Sequence, residues 1–69
     1  MWIKTQLGEL LNFDRLLSIS VVAGKFSTLV MGDFDFGGSV ALGSFNTRAE
    51  ADAYFNQLEK LLTKESAHD

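Results

Sequence analysis

The sequence predicts an α+β domain: a small antiparallel sheet of four to five strands packed by one C-terminal helix. Three observations carry this expectation. Up to residue 45 the chain falls into short apolar segments that alternate with polar residues and are separated by glycine turns, the period of half-buried strands. From Thr47 the apolar spacing becomes helical, behind a T-x-x-E cap. No proline, linker, repeat or low-complexity segment divides the 69 residues, so 1–69 is expected to be a single domain, with 63–69 as a frayed tail.

Trp2 and Ile3 begin the first strand, and Gln6-Leu7-Gly8 turns it into Glu9-Leu10-Leu11. Asn12-Phe13-Asp14-Arg15 reads as a corner, because Asn and Asp hydrogen-bond local backbone. Leu17, Ile19, Val21 and Ala23 alternate with Ser18, Ser20 and Val22 as one half-buried strand. Gly24-Lys25 turns the chain, and Phe26 to Met31 forms the next strand. Gly32 suggests a bulge. Phe34 and Phe36 then alternate with Asp33 and Asp35, Gly37-Gly38 turns, and Val40 and Leu42 lie on the returning strand. A three-residue loop, Gly37-Gly38-Ser39, would pair Phe36 with Val40 and Phe34 with Leu42. It is expected over a two-residue loop because it puts every apolar side chain on one face and both aspartates on the other.

The helix follows from chemistry and spacing together. Thr47 and Glu50 form a capping box, in which each side chain satisfies an orphan amide of the first turn. Ala51, Tyr54, Phe55, Leu58, Leu61 and Leu62 fall within an arc of about 120° at 100° per residue, a stripe that faces a core. Lys60 and Lys64 sit in the last turns, where the helix dipole favours cations.

Composition narrows the function classes. A chain this short has a thin core. It contains no cysteine to staple it or to hold zinc, and small unstapled domains often gain burial by associating. The net charge is −3, unevenly placed. Residues 1–32 carry three cations against two acids, and residues 33–69 carry three against seven. Lys and Arg nowhere cluster, which disfavours nucleic acid. No apolar run approaches the roughly 20 residues of a membrane helix. MWIKTQLGELL lacks the basic-then-apolar layout of a signal peptide, so a cytoplasmic protein without membrane contact is expected.

Candidate chemistry is sparse. Asp33 and Asp35 are the one close carboxylate pair and could meet a hard cation on one strand face. D-F-D-F-G-G lacks the further ligands of a calcium loop, so a solvated hairpin face is the expectation. His68, the one histidine, lies in the tail and gives Ser18 and Ser20 no base. The glycines at 32, 37, 38 and 43 form neither a dinucleotide fingerprint nor a phosphate loop. The aromatics have no basic neighbours with which to bind bases, and core and interface packing explains them. No catalytic, cofactor-binding or metal-binding residue is therefore assigned.

The layout resembles that of uncharacterised small proteins of bacteria and their phages. It shares a W-I-K-T opening strand, the corner Leu11-Asn12-Phe13-Asp14, the strand Leu42-Gly43-Ser44-Phe45, and the Thr47, Glu50 and Ala51 helix start. The resemblance implies an antiparallel sheet plus helix and brings no catalytic or binding residue with it. Gln6-Leu7-Gly8 departs from its D-G turn.

One helix covers one sheet face, and Leu16, Val22, Leu29 and Met31 fall on the other by alternation. The expected function is thus a non-enzymatic interaction or assembly module, self-associating as a homodimer through those residues. The alternative is an acidic inhibitor or mimic that presents residues 33–69 to a basic protein surface.

Overall fold

The computed structural model describes residues 1–66. Two short strands, β1 (Trp2–Lys4) and β2 (Leu10–Asn12), form a hairpin. A 3-10 turn at Phe13–Arg15 leads into β3 (Leu16–Ala23), β4 (Thr28–Phe34) and β5 (Ser39–Phe45), and α1 (Arg48–Ser66) closes the chain. Helix and antiparallel strands are as expected, but the strands do not make one sheet. β1 and β2 form a two-stranded sheet, and β3-β4-β5 form a three-stranded meander. The corner separates them: Asn12 Oδ1 accepts from Asp14 N at 3.1 Å and caps the 3-10 turn, which breaks the pairing direction between β2 and β3.

The core lies between the inner face of the meander and α1. Phe13, Val30, Phe34, Leu42, Ala51 and Leu58 are its buried members. From the first hairpin, the paired residues Ile3 and Leu11 close one end of it. The molecule's shortest extent is 18 Å, close to one sheet plus a helix about 10–12 Å across. The sheet's second face is left bare.

Two irregularities decide which side chains point where. A shift between Leu16 and Ser18 turns Leu16 inward against the core. Leu17 is thereby left 71% exposed rather than half-buried as the alternation suggested. A second shift, opposite Val30 and Met31, admits Leu42 as an extra residue on β5. The bulge anticipated at Gly32 is not at that residue. Gly32 is small because a Cβ there would stand 3.0 Å from Leu16 Cδ1 and 3.1 Å from Leu42 Cδ1. The close approach over Gly32 is what lets those leucines meet.

The β3–β4 turn begins with Gly24 N donating to Ser27 O at 2.8 Å. Its tip is Lys25-Phe26, so Phe26 is a turn residue, 91% exposed, and not the start of β4. The β4–β5 loop does have three residues, but they are Asp35-Phe36-Gly37. Phe34 N donates to Gly38 O at 3.1 Å and Gly37 N to Phe34 O at 3.0 Å. Gly37, at φ +89°, supplies the left-handed residue that ends such a turn. Val40 therefore pairs with Gly32 rather than Phe36, four positions along β4. The shift is even, so the faces survive: Phe34, Val40 and Leu42 point inward and Asp33 outward. Phe36 leaves the core for the loop, where its ring stacks on Phe34 at 5.4 Å.

The helix begins at the expected cap. Glu50 N donates to Thr47 Oγ1 at 3.2 Å, and the Thr47 hydroxyl donates to Glu50 Oε1 at 3.1 Å. Glu50 thus bonds the hydroxyl of Thr47 in place of its backbone amide. Ala51 and Leu58 are buried, Tyr54, Phe55 and Leu62 half-buried, and Leu61 lies at the exposed margin of the stripe. Thr63 continues the helix, which runs to Ser66, where a frayed tail was expected. The rest of that tail, His68 included, lies outside the described residues.

Candidate interaction surface

The bare face of the meander is built in rows across β3, β4 and β5. Ser18, Asp33 and Ser39 form one row; Ser20, Met31 and Ala41 the next; Val22, Leu29 and Ser44 the third. Each row follows from period-2 alternation on paired strands. In the first row Ser18 Oγ donates to Asp33 Oδ2 at 3.1 Å, and Ser39 Oγ donates to Asp33 Oδ1. The other two rows are mainly apolar.

Of the four residues expected at an interface, Val22, Leu29 and Met31 lie on this face, outside the core cluster. Val22 is 44% exposed, and Leu29 and Met31 are half-buried. Leu16 does not join them. The bulge beside it reverses its direction, and it packs inside.

The sheet's two edges differ. Along β5, Gln6 from the β1–β2 turn acts as a bridge. Its N–H is shared between Leu42 O at 3.1 Å and the Tyr54 hydroxyl at 3.0 Å, while its Oε1 accepts from Ser44 N at 3.1 Å. Along β3, among the described residues, no backbone hydrogen bond from outside the sheet reaches Leu17–Ala23. A cleft of about 380 Å³ opens beside this strand, between Leu16–Ile19, Phe13 and Leu62.

The carboxylates do not converge. Asp33 is held by its two serines, and Asp35 accepts from Arg15 Nε at 3.1 Å. Asp52 pairs with Arg48 at 3.1 Å on the helix surface. Among the described residues, no three His, Cys, Asp or Glu side chains are grouped to hold a metal ion. No described helix is long and apolar enough to cross a membrane.

Several surface residues escaped the sequence reading. Trp2 and Leu10 lie on the outward face of the first hairpin, and Leu17, Phe26 and Phe36 stand exposed. Alternation alone assigned Leu17 and Phe36 inward and placed Phe26 at the start of a strand. Only the local shift and the true loop positions expose them. The bridging role of Gln6 has no sequence signal, since it depends on β5 lying beside a turn from the other sheet. No family model, curated protein or solved structure matches the chain.

Proposed function

We propose that this chain is a small, non-enzymatic interaction module of the cytoplasm that acts as a homodimer. The reading rests on one observation above all: Val22, Leu29 and Met31 occupy a sheet face that neither α1 nor the first hairpin covers. Burying an apolar surface of this kind is the usual driving force for association of a small domain. The polar groups support a non-catalytic role, because Asp33 is held by Ser18 and Ser39 and Asp35 by Arg15, with no partner in common.

Sedimentation equilibrium tests the reading. A species of twice 7.6 kDa at micromolar concentration is expected. A 7.6 kDa monomer persisting at high micromolar concentration would end it.

A further inference from the structure

The unguarded edge of β3 says how two copies would meet. Proteins usually protect an edge strand with Lys, Pro, a bulge or a covering segment. The sheet's other edge is bridged by Gln6. β3 is eight residues long, about 26 Å at 3.3 Å per residue, with no charge and no proline. Its one bulge lies at the Leu16 end, and Ser18–Ala23 pairs with β4 without a break.

The hydrogen-bond phase of this edge can be read from the turn. Gly24 N bonds Ser27 O, and an antiparallel ladder alternates from there. Val22, Ser20 and Ser18 then bond toward β4, while Ala23, Val21 and Ile19 direct N–H and C=O groups outward. Those groups are placed to pair with an extended backbone.

We propose that the strand opposite is β3 of a second copy, antiparallel about a two-fold axis at Ser20. Two three-stranded sheets then become one of six strands. This inference rests on the self-association proposed above and names its seam. The strand is complementary to itself in that register. Ile19 meets the partner's Val21 through outward backbone groups, as a β-branched pair on the helix side. Ser20 meets its own copy, and Ser18 meets the partner's Val22, on the bare side. The ladder itself opposes no like charges, since Leu16–Ala23 carries none, while at each end Arg15, paired with Asp35, faces the partner's Lys25. The joined sheet sets the two Val22, Leu29 and Met31 faces side by side without covering them, so the seam itself is held by backbone pairing and the Ile19–Val21 contacts.

A chain without cysteine makes the test direct. Facing residues of a non-hydrogen-bonded antiparallel pair stand about 4.5 Å apart at Cα, within the span of a disulfide. Ser20→Cys should therefore cross-link into a dimer under mild oxidation. Ala41→Cys, on the bare face but on the opposite edge strand β5, and Asn56→Cys, on the exposed side of α1, should not. Ser20→Lys opposes two like charges at an exposed position and should raise the dimer dissociation constant roughly tenfold or more, while Ser20→Thr should not. A dimeric parent whose Ser20→Cys variant stays unlinked, with Ser20→Lys still dimeric, overturns the β3 seam and leaves self-association standing. Efficient linking through Ala41→Cys instead would mean a contact through the bare face or the β5 edge, again against the seam. A parent that is monomeric throughout ends both proposals.

Discussion

Phe34 and Phe36 differ by two positions and share a side-chain type, yet the fold treats them oppositely. Phe34 is 3% exposed and meets Phe13 edge-on at 5.9 Å. Phe36 is 68% exposed and touches the core only through the outer face of Phe34. Truncation should reflect this. Phe34→Ala is expected to cost about 3–5 kcal/mol as a buried aromatic deletion. Phe36→Ala should cost no more than the stacking contact, about 0.5–1.5 kcal/mol. Urea midpoints of the two variants decide the matter, and equal midpoints would contradict the loop position of Phe36. The sequence could not separate the two rings, because a hairpin slipped by an even number of residues keeps the same inward and outward faces. Face was legible; depth along the strand was not.

The elements divide by how local their causes are. α1 is the most legible, since cap, stripe and dipole charges all lie within its own residues. Its cap carries a prediction: Thr47→Ala removes the acceptor for Glu50 N and should cost about 1 kcal/mol. An unchanged denaturation midpoint would show that the 3.2 Å bond contributes nothing. The first hairpin was legible in the position of its turn but not in the pairing of its strands. Gly8, at φ +87°, closes its turn without the D-G pair of the resembling proteins. Thr5 is buried but satisfied, its N–H donating to Glu9 O and its hydroxyl accepting from Glu9 N. The meander strands were legible in number and direction but shifted in register at two bulges. The shift beside Leu17 decides that Leu16, assigned from alternation to the interface, belongs to the core.

At the scale of the whole molecule, three layers of structure would be needed to cover both faces of the meander, and the described residues supply two. That shortage motivates the homodimer, and it predicts a thermodynamic signature besides mass. A native state stabilised by association melts at a temperature that rises with protein concentration. Scans across a hundredfold range of concentration should show an upward shift in Tm for the parent and a smaller one for Ser20→Lys. A Tm independent of concentration would argue for a self-sufficient monomer.

The sequence alone determined what short-range periodicity and capping chemistry encode. That covers an α+β class, antiparallel strands, a C-terminal helix capped by Thr47, and an outward Asp33. It also indicated Val22, Leu29 and Met31 as residues that one helix would leave uncovered. Only the tertiary structure decided that the strands split into sheets of two and three, that Leu16 turns inward, and that Gln6 guards β5 while β3 stands open. The reason is physical. Periodicity reports which face of an element is apolar. A bulge, an even register slip or a sheet edge is set by contacts between residues far apart in the chain, such as Gln6 with Ser44 or Leu16 with Gly32.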